Sequence, residues 1–211
     1  MNNQNYAVVP LFSSPVFESG EQFEISKSFL DFIKNVEVTA CSPENKEHRN
    51  SVDSYILELK EFADLKKFIV KQLAIYVYEV LKITTAHNFY ITQSWLNFNE
   101  RGEDHHQHWH QNSLISGIFY IAGDFCPTAV LSREGDPPFG KNWAFELEEF
   151  NVYNSGKWTF ENKKNSLLIF PSTVEHYVEA YKGFDTRITL SFNTFVKGNL
   201  GLGPNKNELI L

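Results

Sequence analysis

Residues 88–121, NFYITQSWLNFNERGEDHHQHWHQNSLISGIFYI, decide how this chain is read. The opening twelve residues alternate, with Phe89, Ile91, Gln93, Trp95 and Asn97 on one face of a strand, because successive strand side chains point to opposite faces. The closing SLISGIFYI begins a second, strongly apolar strand. Between them, four of the chain's seven histidines crowd into residues 105–110. In an extended segment, residues i and i+2 lie about 6.5–7 Å apart and share a face. This spacing puts His106, His108 and His110 together and turns His105 away. Two such imidazoles can converge on one ion at about 2.1 Å from each nitrogen, so the candidate pairs are His106/His108 and His108/His110. The bland alternative is a solvated, His-rich loop. Trp109 inside the run and the core strand directly after it favour the metal.

Working outward, KWTFEN (157–162), SLLIFPS (166–172), HYVEAY (176–181), TRITLSFNTFV (186–196) and WAFELEEFNVY (143–153) read as further short strands. Upstream the period changes. Phe62, Leu65, Phe68, Ile69, Leu73, Tyr76, Val77 and Val80 recur at three- and four-residue steps, which predicts an amphipathic helix from Ser54 to about Leu81. SKSFLDFIKN (26–35) predicts a short helix opened by Ser26. AVVPLFSSPVFE (7–18) reads as extended pieces broken by Pro10 and Pro15, and CSPENKEHRN (41–50) as loop. The expected fold is mainly β with N-terminal helices, an antiparallel double-sheet barrel backed by helices. One domain is expected over 1–211: strands and helices in 1–85, the β core in 86–197 and a Gly/Asn-rich tail in 198–211.

The composition bounds the partners. At 42% hydrophobic and 15% aromatic, the 211 residues can build a sizeable core. The net charge of −7, with no basic stripe, makes nucleic acid an unlikely partner. Cys41 and Cys126 lack both disulfide-framework and zinc-thiolate spacing, which suits two free thiols. No run has the length of a membrane span and no leader is visible, so the expectation is a cytoplasmic protein. A homodimer is suggested by aromatic content alone.

Two more positions carry chemistry. A metal site with open positions needs a third ligand, and the remaining histidines are His48, His87 and His176. His176 stands just past an apolar strand and a proline turn, where a ligand can reach into a barrel mouth. Eleven residues on, Arg187 shares a face with Thr189, Ser191 and Asn193, a polar row between Ile188, Leu190 and Phe192. An Arg on such a row suits a small dicarboxylate held through a forked salt bridge. The alternative is an Arg satisfied by a surface carboxylate.

These residues resemble a family. His108-Trp109-His110, then His176, then Arg187-Ile188-Thr189 look like the non-haem iron(II), 2-oxoglutarate-dependent oxygenases, with their H-x-D/E…H facial triad and downstream Arg. The lead-in N-x-N-x-x-G-x5-H-x-H, from Asn97 to His110, is similar in spacing to the N-x-Y-x-x-G-x5-H-x-D of the alkylation-repair members. HWHQNSLISGIFYI, SLLIFPSTVEHYVE and RITLSFN together resemble a group of small 2-oxoglutarate/iron oxygenases of bacteria and phages, as does the opening VVPLFSSPVF. The resemblance implies a distorted jelly roll, the cupin-like double-stranded β-helix. It implies His108, His110 and His176 as ligands of Fe(II), with His110 in place of the usual Asp. It implies Arg187 and Thr189 on the distal carboxylate of 2-oxoglutarate, with Asn97, Asn99 and Tyr120 as further cosubstrate contacts. The implied reaction is oxygenation, usually hydroxylation, of a small-molecule or peptide substrate, with succinate and CO2 released.

The departure at His110 has a physical meaning. Two imidazoles and a carboxylate leave iron(II) near charge +1, whereas three neutral imidazoles leave it at +2 and change its redox poise. Two alternatives follow: a three-His iron dioxygenase that uses no 2-oxoglutarate, and a catalytically silent binding barrel. The substrate is not readable, although Phe139 and Trp143 in SREGDPPFGKNWAFE (132–146) are placed to cover one.

Overall fold

A computed structural model of the chain describes residues 7–40, 48–124, 128–131, 145–161, 163–201 and 207–211. The element order is β1 (Phe17–Glu18), α1 (Lys27–Lys34), β2 (Val38–Ala40), β3 (His48–Ser51), α2 (Ala63–Ala74), β4 (Asn88–Asn99), β5 (His105–His108) and β6 (Ile115–Ala122). It continues with β7 (Thr128–Leu131), β8 (Lys157–Phe160), β9 (Leu167–Pro171), β10 (His176–Val178), β11 (Arg187–Lys197), β12 (Asn199–Leu200) and β13 (Leu209–Ile210). A seven-stranded sheet has the order β1-β9-β6-β11-β4-β3-β2, and a four-stranded sheet the order β5-β10-β7-β8. The pairings between these strands are antiparallel. In the tail, β12 and β13 form a small hairpin.

Alternation along the large sheet separates core from site. Leu96 and Phe98 of β4, Ile188 and Leu190 of β11, and Phe119 and Ile121 of β6 join one core cluster with Leu65, Phe68, Ile69 and Leu73 of α2. The Phe68 and Phe119 rings meet edge to face at 6.1 Å across this layer. The intervening residues Trp95, Asn97, Asn99, Arg187, Thr189 and Ser191 line a cavity on the sheet's other face. A β-bulge at Thr92 corrects the expected face: Asn193 pairs with Gln93 but Thr194 pairs with Ile91. One residue is thereby skipped and the parity inverts. Phe89 and Ile91 accordingly pack against the helix-side core, while Trp95 and Asn97 point into the cavity.

Four other expectations are revised. The helix predicted from Ser54 starts at Ala63, after 3-10 turns at Ile56–Glu58 and Lys60–Phe62. The reason is tethering: the Leu57 amide donates to Ser94 Oγ at 3.0 Å, and Leu59 between the turns is extended. Beyond α2 the chain continues as a π-helical stretch, Ile75–Val80, with buried Tyr76 donating its hydroxyl to the Pro15 carbonyl. Residues 48–50, expected as loop, belong to β3. The strand expected over 143–153 is absent from residues 145–153, where Asn151 and Asn154 side chains take up local backbone groups and turn the chain. Helix α1 forms as expected, with Ser26 Oγ accepting from the Phe29 amide. Cys41, Cys126, Phe139 and Trp143 lie outside the described residues.

Candidate metal and cosubstrate centre

The cavity lies between the two sheets, and both the histidine cluster and the arginine row open into it. His108 closes β5 and pairs with His176 of β10, so two imidazoles from adjacent strands meet with ring centroids 4.3 Å apart. His110 lies beyond the strand, in a turn whose position is set by its own amide, which donates to the Ser172 carbonyl at 3.0 Å. The Phe-Pro-Ser block therefore holds His110 as well as leading to His176. Ser172 is itself fixed, with Oγ 2.7 Å from both Ser113 Oγ and Ser116 Oγ. His108, His110 and His176 each offer a nitrogen, and these nitrogens all lie within 4.8 Å of one another.

The local hydrogen bonds assign the nitrogens. His108 Nδ1 lies 2.7 Å from the His106 carbonyl oxygen and His176 Nδ1 lies 3.0 Å from that of Val174. A carbonyl only accepts, so each Nδ1 carries the proton and each Nε2 is left with its lone pair, the usual way a protein orients a metal-binding imidazole. His110 Nε2 is 3.3 Å from His176 Nε2. Nitrogens about 2.1 Å from one ion stand roughly 3.0–3.4 Å apart in cis or tetrahedral positions, so the spacing fits a shared metal. Burial first, and then neighbouring imidazoles, pull the pKa of His110 down to about 4 and that of His176 down to about 3. Burial also lowers His108. Neutral imidazoles at pH 7 are the form that ligates a metal.

His105 is not turned away. His176 pairs with His108 but Val178 pairs with His105, so β10 advances two residues while β5 advances three. The extra residue is a bulge that brings His105 to the same side as His108, and their rings stack with centroids at 4.3 Å. His105 lines the cavity, and the His48 ring of β3 lies against it with centroids 4.7 Å apart. His106 is exposed, while His87 lies on the opposite end of β4, beside Gly198. Of the three possible third partners for the His108/His110 pair, the fold supplies His176.

The other end of the cavity is built on β4 and β11, in register for eleven residues apart from the bulge. Arg187 is 4% exposed and its Nη1 donates to Asn99 Oδ1 at 3.0 Å. Among the described residues no carboxylate forms a salt bridge with Arg187, so the surface-carboxylate reading of this Arg does not hold. A buried guanidinium satisfied only by a neutral amide is costly unless an anion completes it. Asn97 Nδ2 donates to Thr189 Oγ1 at 3.2 Å and Ser191 Oγ at 3.0 Å, while Trp95 Nε1 donates to Asn97 Oδ1 at 3.0 Å. Tyr120 lies under Arg187, which sits 5.8 Å from its ring centroid; Tyr120 is not among the described residues lining the cavity. Sequence reasoning turns His105 away and names His48 only among the spare histidines, and it misses Gly117, where a Cβ would run into the Phe192 ring. Alternation on β11 does point to Ser191.

Residues 93–193 match the family model described as "Putative 2OG-Fe(II) oxygenase". No curated protein matches the sequence. Among solved structures, the fold is similar to that of HygX from Streptomyces hygroscopicus with nickel, 2-oxoglutarate and hygromycin B bound (TM-score 0.60, 9% identity, 86% of this chain and 82% of that one). It is also similar to the non-haem α-ketoglutarate-dependent epimerase SnoN from nogalamycin biosynthesis (TM-score 0.56, 9% identity, 80% and 69% of the two chains). A prolyl-4-hydroxylase from Pseudomonas putida gives a TM-score of 0.50 at 12% identity over 86% and 93%. At these identities the likeness is one of fold, the antiparallel double-sheet architecture of those oxygenases. Residues 93–193 hold the histidine triplet and the arginine row together, and the family match over this stretch marks the chain as an enzyme of the 2-oxoglutarate- and iron(II)-dependent oxygenase type.

Proposed function

We propose that His108, His110 and His176 hold the iron, that Arg187 holds the distal carboxylate of 2-oxoglutarate, and that the enzyme hydroxylates a small-molecule or peptide substrate. The observation that carries this reading is the pairing, in one cavity, of a converging imidazole triplet with a buried guanidinium that lacks a carboxylate partner among the described residues. When bound, iron(II) supplies the oxidation: O2 and 2-oxoglutarate are consumed, succinate and CO2 leave, and one oxygen atom enters a substrate C–H bond. The chain supplies the rest. Asn99 fixes the Arg187 fork, and Asn97 and Thr189 set the polar wall against which the carboxylate lies. The carbonyls of His106 and Val174 keep two imidazoles in the tautomer that presents Nε2. Ile118, Phe170 and Val178 give the cavity an apolar side that excludes water from the reacting region. Residues 1–85 and 86–197 act as one unit in this reading, because α2 and the large sheet share a core.

A three-His iron site without 2-oxoglutarate is the rival, and the absence of a carboxylate from the triplet favours it. Adding iron(II) and then 2-oxoglutarate anaerobically to metal-free protein separates the two. A weak visible charge-transfer band that needs both additions, and is lost in His108→Ala and Arg187→Ala, supports the proposal. Iron binding with no band on adding 2-oxoglutarate supports the rival.

A further inference from the structure

The triplet assigned to iron does not use all the imidazoles in this region. His105, His106 and His108 form a second, overlapping group whose ligand nitrogens also lie within 4.8 Å of one another. The bulge in β5 produces this convergence, since it brings His105 to the side of His108. An independent observation points the same way. His48, on β3 of the other sheet, is 7% exposed, its ring lies 4.7 Å from that of His105, and its Nε2 has no hydrogen-bond partner among the described residues. A buried imidazole nitrogen left without a partner is costly, and an ion shared with its neighbours would satisfy it. Asp104, exposed and within electrostatic range of His48, adds a nearby negative charge.

We propose that His105, His106 and His108, backed by His48, form a second transition-metal site that takes an imidazole-preferring divalent ion such as Zn(II) and shares His108 with the iron triplet. Neutral imidazoles suit Zn(II), Cu(II) and Ni(II), all of which bind nitrogen sites more tightly than iron(II) does. His108 has one lone pair to give, because its Nδ1 proton is held by the His106 carbonyl. It cannot serve both ions, so occupation of the second site withdraws a ligand from the first. The consequence is a metal-responsive off state: Zn(II) on the β3–β5 side leaves His110 and His176 without their third partner. This consequence rests on the iron assignment above, whereas the site itself does not.

The test is Zn(II) binding to metal-free full-length protein against a chromophoric chelator, with Co(II) absorption as a second readout. His176→Ala removes a ligand from the iron triplet and none from the proposed site, so it should still bind one Zn(II) per chain. Adding His105→Ala to it should weaken binding by at least the roughly tenfold to hundredfold lost when even outer-shell partners of a metal are removed. His48→Ala should weaken it as well, and Co(II) bound to His176→Ala should lose its visible bands in the double variant. His110→Ala, a change in a half-buried turn, provides the same comparison if circular dichroism shows His176→Ala to be unfolded. Loss of all Zn(II) binding in folded His176→Ala or His110→Ala, or binding indifferent to His105→Ala, overturns the proposal. Neither readout involves 2-oxoglutarate, so failure of the iron assignment and failure of the second site are told apart.

Discussion

The two ends of the cavity are built in different ways. Arg187 and Asn99 sit opposite each other on β11 and β4, the two longest strands, inside the seven-stranded sheet, and are 4% and 3% exposed. A continuous ladder of backbone hydrogen bonds fixes them. The histidine end stands on a four-residue strand with a bulge and on the turn after it, in the smaller sheet. There, position depends on single contacts: His108 Nδ1 to the His106 carbonyl, His176 Nδ1 to the Val174 carbonyl, and the His110 amide to the Ser172 carbonyl. The Arg187 end is fixed by sheet structure, whereas the histidine end rests on single contacts, and on the proposed assignment a bound ion would add to its rigidity.

The largest test of this contrast is His176→Ala, which should reduce oxygenase turnover to background and abolish the charge-transfer band. Turnover that survives would remove His176 from the iron. Next, saturating the site with Ni(II), an oxygen-inert stand-in, at a hundred times its dissociation constant should stabilise the fold by about 2.7 kcal/mol. Hydrogen exchange should slow most at residues 105–110 and 172–178, and least along β4 and β11. Uniform slowing would contradict a preformed anion end. Arg187→Ala should raise the KM for 2-oxoglutarate roughly thirtyfold, the equivalent of about 2 kcal/mol for one half of a buried charge pair. Iron binding measured without cosubstrate should be unchanged in that variant, because the two ends are built separately.

The smallest expected effect is on pH. His110 and His176 have pKa values in the folded protein of about 4 and about 3, below the ordinary imidazole value near 6.5. The unfolded chain therefore takes up protons first as the pH falls, and metal-free protein should lose stability progressively from about pH 6.5 downward. Thermal midpoints between pH 7.5 and 5 read this directly. A midpoint that rises on acidification would mean that the imidazoles are not buried neutral.

Much of this site is legible in the sequence. The row Arg187, Thr189, Ser191 is polar where its neighbours Ile188, Leu190 and Phe192 are apolar, and β11 follows that alternation into cavity and core. His108, His110 and His176 are legible from their spacing and their place beside apolar strands, together with the family resemblance. His105 and His48 are not. Strict alternation turns His105 away, and nothing in CSPENKEHRN marks His48 as the residue that packs on it. The face of Phe89 and Ile91 is misread for the same reason, one inserted residue in β4. The long helix is misplaced because the Leu57 amide is held by Ser94, far off in sequence.

The chain's own order of residues determined which side chains are available and how they alternate: two long amphipathic strands, a histidine run, a proline turn before a further histidine, and an arginine on a polar row. Those properties are local, since strand and helix periods follow from backbone geometry alone. Tertiary structure decided where the alternation slips. A bulge exists only where one strand pairs with another and one residue is left over, so its position is set by hydrogen bonds between distant segments. The bulge in β5 adds His105, and through it His48, to His108, His110 and His176, giving a cluster of five imidazoles that links both sheets.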